Sequence, residues 1–282
     1  MSIQKNWLIT GAARGFGFEI AKAVLASGDR VIATVRSKAD ELYEKLDHPD
    51  LLVVLLELSD EDQARAAAKE AIEKFGRIDV LVNNAGQGIL SAVEEASDAE
   101  IKKNYEVNVF GLLNVTRAVL PYMRKERKGH VINFSSVGGL TGITGWGLYG
   151  SAKFAVEGIT EAMAAELAPL GIYATAVEPG FFRTDFLDES SLTRTENIIE
   201  DYAETVGQMR SYAGEVNKKQ PGDPAKLAKA ILKLAAAEKP PVHLPLGKDT
   251  LHYFKEKMDR FNAEIAEWHE VITGTDFDEH AG

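Results

Sequence analysis

Short runs that are apolar on both faces recur along the chain, at residues 7–9, 31–33, 51–56, 80–82, 131–134 and 174–177. Between them lie longer amphipathic stretches over residues 19–26, 60–75, 99–125, 151–167 and 224–237. A strand covered on both faces has no polar side to alternate, so these runs predict a parallel sheet sandwiched between helices. The acidic start at Asp60 and the pair Asp223-Pro224 suit helix caps and first turns. Alternating strand and helix signals predict an α/β fold, a doubly wound, Rossmann-type parallel sheet with helices on both faces and right-handed crossovers. Ligands of such sheets bind outside the carboxyl ends of the strands.

Near the C-terminus Leu251, Phe254, Met258, Phe261, Ile265 and Trp268 alternate spacings of three and four, which predicts one apolar helix face. Core cover is the expectation for that face; sealing of a substrate cleft and packing on another subunit are the alternatives. No linker-like stretch or internal repeat interrupts the pattern. Residues 1–282 are therefore expected to form a single domain, with a mobile polar lid at about 185–220, a C-terminal helical extension at about 248–272 and a tail from Thr273 that frays.

Composition narrows the partners. A formal net charge of −11 argues against nucleic acid, whose phosphates need a basic surface. The chain has no cysteine, which excludes disulfides and thiolate chemistry. The first strand begins near Lys5, leaving no room for a signal peptide, and the run at 51–56 is far below the roughly 18 residues needed to span a bilayer. A cytoplasmic protein without membrane contact is expected. The histidines His48, His130, His243, His252, His269 and His280 form no metal-like pair at helical or strand spacing with nearby acids, so no metal is expected and they are read as surface or packing residues.

Candidate chemistry sits in two places. Gly11, Gly15 and Gly17 follow the first strand, where missing side chains permit a tight turn and close approach of a pyrophosphate to helix N-terminal amides. Ser136, Tyr149 and Lys153 lie downstream. A tyrosine four residues before a lysine shares its helical face, so the ammonium can favour the ionised phenol. At about 4 Å and an effective dielectric of about 20 this interaction reaches roughly 4 kcal/mol, enough to bring a phenol toward neutral pH. A second Tyr-xxx-Lys pair, Tyr253 and Lys257, has Pro240 thirteen residues before its tyrosine where the first has Ser136. Only the first pair has a hydroxyl partner at that spacing.

With Asn83-Asn84-Ala85-Gly86, Asn108 in Val107-Asn-Val-Phe-Gly111, and Pro179-Gly180 followed by Thr184, these motifs resemble the short-chain dehydrogenase/reductase family, in its Thr-Gly-xxx-Gly-x-Gly branch. The resemblance runs from about Lys5 to about Gly247. Phe181-Phe-Arg-Thr-Asp-Phe186 and Gly222-Asp-Pro224 are similar to bacterial reductases resembling 17β-hydroxysteroid dehydrogenases.

The resemblance implies a nicotinamide cofactor held by Gly11, Arg14, Gly15, Phe16, Gly17, Arg36, Glu57, Leu58, Asn84, Ala85, Gly86, Tyr149, Lys153, Pro179, Gly180 and Thr184. Glu57 stands where the family has an Asp near adenine. The second strand ends Ala33-Thr-Val-Arg36 without a carboxylate for a ribose hydroxyl, and Arg14 stands in the Gly turn. Two arginines suit a 2′-phosphate, so NADP(H) is the expected cofactor. Tyr149 is the expected proton donor and Ser136 the hydrogen-bond donor to the reacting oxygen. By resemblance Lys153 also holds the nicotinamide ribose, Asn108 supports a proton-relaying water and Thr184 contacts the carboxamide.

Leu140, Trp146, Phe181, Phe182, Phe186 and Leu187 flank these positions and predict an apolar pocket for a bulky ketone, alcohol or aldehyde. An NADP(H)-dependent carbonyl reductase or alcohol dehydrogenase is the leading expectation. A 3-oxoacyl-thioester reductase and a catalytically silent NADP-binding sensor or scaffold are the alternatives. The resemblance also implies a homodimer or homotetramer built from the helices at 99–125 and 151–167.

Overall fold

The strands are β1 (Asn6–Thr10), β2 (Arg30–Val35), β3 (Leu51–Leu55), β4 (Val80–Asn83), β5 (Gly88–Leu90), β6 (Gly129–Phe134), β7 (Ile172–Pro179), β8 (Leu192–Arg194) and β9 (His243–Leu246). The helices are α1 (Gly15–Ala26), α2 (Ala39–Leu46), α3 (Glu61–Phe75), α4 (Asp98–Tyr105), α5 (Gly111–Glu126), α6 (Val137–Leu140), α7 (Gly147–Leu167), α8 (Gln208–Val216), α9 (Pro224–Ala236), α10 (Lys248–Glu267) and α11 (His269–Thr273). This computed structural model describes residues 4–277, so His280 and the end of the predicted tail lie outside the described residues.

Seven strands form one parallel sheet in the order β3-β2-β1-β4-β6-β7-β9. The chain winds outward from β1 to β3, then returns to the other side of β1 at β4. That reversal opens a crevice at the carboxyl ends of β1 and β4, the general binding place of such sheets. One face of the sheet packs Ile20, Val24, Leu227 and Ile231 from α1 and α9. The other packs Ala64, Ala67, Ala68 and Ala71 of α3 with Val115, Val119 and Met123 of α5 and Met163 and Leu167 of α7. The small alanines let α3 lie close to the strands. Met163 is thereby a core residue, whereas Phe154 on the same helix is 40% exposed.

The predicted helix at 99–125 is present as α4 and α5 joined by a π-helical turn over Glu106–Phe110, and Asn108 stands inside that turn. Such bulges displace one residue out of the regular ladder and are frequent at functional sites. Among the described residues no helix is long and apolar enough to cross a membrane.

The predicted lid has internal structure and is pinned. β8 pairs with β5 in a second, two-stranded sheet. Buried Glu95 accepts hydrogen bonds from the backbone N–H groups of Ala92 (2.7 Å) and Ile199 (3.1 Å) and forms an ion pair with Arg210 of α8. Its own carbonyl accepts from Thr195 Oγ1 at 3.1 Å. Removing one partner of a buried, hydrogen-bonded pair leaves the rest unsatisfied. Glu95→Ala is therefore expected to cost about 3 kcal/mol in denaturant unfolding; a loss within the range of surface substitutions would show that this carboxylate does not anchor the lid.

The C-terminal extension corrects the expectation of core cover. Leu251, Phe254, Met258, Phe261, Ile265 and Trp268 are 37% to 57% exposed. In α10 only Thr250 is buried. The helix is tied to the body near its start, where Thr250 Oγ1 donates to Leu246 O (3.0 Å) and Asp249 accepts from Phe181 N (2.5 Å), and then runs out from it.

Candidate active site

A cleft of about 800 Å³ runs across the carboxyl edge of the sheet, lined at one end by the Gly turn and Arg36 and at the other by Ser136, Tyr149 and Phe186. Gly11 and Gly15 have φ of +67° and +58°, which side chains resist, and a Cβ on Gly17 would fall 2.5 Å from Gly11 O. The turn is therefore built without side chains where α1 begins, with its first N–H groups open toward the cleft. This cradle fits a dinucleotide pyrophosphate. Thr10 Oγ1 locks the neighbouring loop by accepting from Asn84 N and Ala85 N, both at 3.0 Å, while Asn84 Nδ2 donates to Thr10 O at 2.8 Å.

Gly86 stands between two candidate groups: a Cβ there would meet Asn108 Oδ1 at 2.9 Å and Lys153 Nζ at 3.4 Å. Asn108 Nδ2 donates to Gln87 O and Asn104 O, each at 2.8 Å, which fixes its amide. Phe16 packs on Phe134 and Phe182 at ring separations of 5.7 and 5.3 Å. Thr184 lies over Gly15, 3.8 Å from where its Cβ would be, and a Cβ on Gly180 would strike the Asp249 carboxylate. Pro179 ends β7 on the cleft wall. Glu57 and Leu58 line the cleft beyond β3, where Asn114 Nδ2 donates to Leu58 O at 3.0 Å. Arg14 donates to Ser190 O and Ser191 Oγ, both at 2.8 Å, so it touches the lid as well as the turn. Arg36 is exposed on the cleft rim, next to Lys38 and Lys45.

Ser136 caps α6, its Oγ accepting from Gly138 N at 3.1 Å. Tyr149 and Lys153 lie on α7, buried. The electrostatics differ from the sequence expectation. Burial dominates at Tyr149 and raises its phenol well above the ordinary range, with the Ser136 hydroxyl pulling the other way. Lys153 Nζ donates to Phe134 O at 2.8 Å and sits 5.7 Å from the Tyr149 ring centroid. Burial lowers its ammonium to about 8, opposed by the negative charge of Glu157. Burial thus outweighs the Ser136 hydroxyl at the phenol, while the Lys153 ammonium is engaged by Phe134 O.

Around the phenol, Trp146 and Phe186 lie 6.0 and 5.3 Å from the Tyr149 ring. Phe181, Phe182, Leu187 and Tyr253 also line the cleft, as do Met209 and Tyr212, which the sequence did not single out. Leu140 does not line it; its carbonyl accepts from Lys257 Nζ at 2.6 Å. The second Tyr-xxx-Lys pair is thereby divided, its tyrosine on the cleft and its lysine bound elsewhere.

Behind the site lies a grouping that sequence spacing cannot reveal. Pairing of β7 with β9 places His243 beside Glu178, its Nδ1 2.9 Å from Glu178 Oε1 and 3.4 Å from Glu157 Oε2 of α7, while Nε2 is 3.5 Å from Glu161. The donor atoms of Glu157, Glu178 and His243 all lie within 4.8 Å of one another, so the reading of His243 as a histidine without acids around it is corrected. Burial and then repulsion from Glu157 push the Glu178 carboxyl up to about 7. Burial lowers His243, but the surrounding carboxylates outweigh it and raise the ring above 6.5. Groups that bind protons more tightly when folded favour folding below their unfolded values, and that contribution is lost as pH rises through the folded ones. For Glu178 the window runs from 4.5 to about 7. Glu178→Gln is expected to gain thermal stability relative to the native chain as pH rises from about 5 to about 8; a difference independent of pH would contradict this assignment.

Comparison with known proteins agrees with the geometry. Residues 5–195 match the short chain dehydrogenase family. The oxidoreductase BOA17 of Botryotinia fuckeliana is 37% identical over 269 residues, covering 95% of this chain and 97% of its own. A 3-ketodihydrosphingosine reductase of Bacteroides thetaiotaomicron is 38% identical over 241 residues, 85% of this chain and 87% of its own. Among solved structures, a short-chain dehydrogenase from Streptomyces avermitilis superimposes with a TM-score of 0.90 at 39% identity, covering 98% of this chain and all (100%) of that one. ElxO with NADP bound gives 0.73 at 29% identity, covering 89% and 100%. With the parallel sheet, the side-chain-free turn and Ser136, Tyr149 and Lys153 on one cleft, these matches show that the chain belongs to the short-chain dehydrogenase/reductase family of oxidoreductases.

Proposed function

We propose that this protein is an NADPH-dependent reductase of a carbonyl group on a bulky apolar molecule. The observation that carries the reading is geometric: buried Tyr149 shares one cleft with Ser136 and Lys153, walled by Trp146, Phe181, Phe186 and Tyr253. A phenol placed beside the reacting oxygen can donate its proton as that oxygen gains charge. A reduced nicotinamide, when bound, supplies the hydride. Ser136 Oγ then hydrogen-bonds the substrate oxygen, Tyr149 Oη donates the proton to it, and the aromatic walls exclude water. Lys153 keeps positive charge near the developing phenolate, and Asn108, fixed in its π turn, lies on the route by which that proton is replaced.

The cofactor choice is supported by charge. Arg36, not a carboxylate, stands directly after β2; Arg36 and Lys45 line this rim, where Lys38 is paired with Glu41 at 2.8 Å, with Arg14 across the turn. The neighbour with NADP bound favours the same choice, and the relative named for 3-ketodihydrosphingosine favours a ketone. A homodimer or homotetramer through α5 and α7 belongs to this reading, with Phe110 and Phe154, 51% and 40% exposed, offered on that side.

The test is a turnover screen with NADPH against bulky apolar ketones, aldehydes and acyl thioesters. Preferential reduction of apolar ketones or aldehydes is expected. Preference for the thioesters would move the assignment to a 3-oxoacyl-thioester reductase. Tight NADPH binding without turnover of any class would make the protein a silent sensor or scaffold.

A further inference from the structure

We propose that α10 pairs with the α10 of a second copy of this chain, the two helices antiparallel along the seam of Leu251, Phe254, Met258, Phe261 and Ile265, continued by Trp268 at the helix C-cap. The spacing of these residues is three, four, three, four, three, the a/d pattern of a coiled coil. A helix lying on a sheet or a globular core carries a broader apolar face, so a two-in-seven stripe is shaped to receive another helix. In the folded chain nothing among the described residues covers it: all six side chains are 37% to 57% exposed. Twenty residues make a rod of roughly 30 Å, held to the body along its first half by Asp249, Thr250 and Lys257, whose ammonium also lies 4.7 Å over the Phe154 ring.

Charge and size select the occupant. An interfacial membrane helix carries a polar face rich in Lys and Arg. Residues 248–270 hold four Lys or Arg against six Asp or Glu, in a chain of net charge −11. Exposed area of roughly 100 Å² for each of the six side chains gives about 600 Å² per copy, most of the roughly 800 Å² per partner of a stable interface. Antiparallel pairing makes three kinds of layer: Leu251 with the partner's Trp268, Phe254 with the partner's Ile265, and Met258 with the partner's Phe261. Each joins an aromatic to an aliphatic side chain, so all have similar bulk. Parallel pairing would stack Trp on Trp and Leu on Leu, alternating crowded and thin layers, and would bring both folded bodies to the same end.

The absence of native cysteine permits a clean test. Under oxidation Leu251→Cys/Trp268→Cys is expected to form a covalent dimer, while Leu251→Cys alone is not, because antiparallel helices hold the two copies of position 251 far apart. Cross-linking of the single variant, or failure of the double one, overturns the arrangement. Phe261→Glu, on an exposed face, is expected to halve the mass measured by light scattering with unchanged circular dichroism and cofactor binding. An unchanged mass overturns the proposal, as does native protein binding to phosphatidylserine vesicles in a manner lost in Phe261→Glu. The proposal does not depend on the reaction, so loss of the proposed activity would leave it standing.

Discussion

Tyr149→Phe is expected to lower carbonyl reduction by roughly 100-fold or more while the fold and cofactor affinity persist. The substitution removes one oxygen and almost no volume, so the packing of Trp146 and Phe186 against the ring survives. It removes the proton donor. Ser136 can still hydrogen-bond the substrate oxygen, but water has little access to replace the lost donor at a residue that is 8% exposed. Steady-state kinetics at neutral pH together with a NADPH titration read both halves. Near-normal turnover would remove Tyr149 from the chemistry; lost NADPH binding would make its role structural.

Arg36→Asp is expected to reverse the cofactor preference. NADPH differs from NADH chiefly by the 2′-phosphate, and a charge-assisted contact to it contributes roughly 1.5 to 3 kcal/mol. The substitution turns that attraction into repulsion and supplies an acceptor for the free ribose hydroxyl of NADH. NADPH efficiency should fall at least roughly 10-fold while NADH efficiency holds or rises, moving the ratio by at least roughly 10-fold. Exposure of Arg36 on the rim makes the effect salt-dependent, so both cofactors are compared at one ionic strength. If the native enzyme prefers NADH, or the variant loses both cofactors equally, Arg36 does not meet the phosphate.

The sheet was legible because strands buried on both faces leave unbroken apolar runs, and the Gly turn because positive φ demands glycine. β9 was not, since Pro245 and flanking polar residues disguise an edge strand whose partner, β7, lies far away in sequence. α2 was missed for a related reason: only Leu42 on it is buried, so it carries almost no apolar stripe. Ser136, Tyr149 and Lys153 could be found from spacing, and the structure brings all three to one cleft. Their electrostatics could not. Helical spacing places Lys153 on the Tyr149 side of α7, but it does not show that burial raises the phenol or that the ammonium donates to Phe134 O. Glu95, Glu178 and Asp249 read as ordinary acids until distant segments close around them. The C-terminal stripe shows the converse limit, since spacing identifies an apolar face without saying whether its partner is the same chain.

The most direct test of the proposed reaction is transfer of label from NADPH carrying deuterium at both C4 positions of the nicotinamide to a bulky apolar ketone, read by mass spectrometry of the product. The account predicts an alcohol bearing one deuterium on the former carbonyl carbon, formed by the native protein and at a roughly 100-fold lower rate by Tyr149→Phe. Unlabelled alcohol, or no alcohol from any ketone under conditions where NADPH is bound, would contradict it.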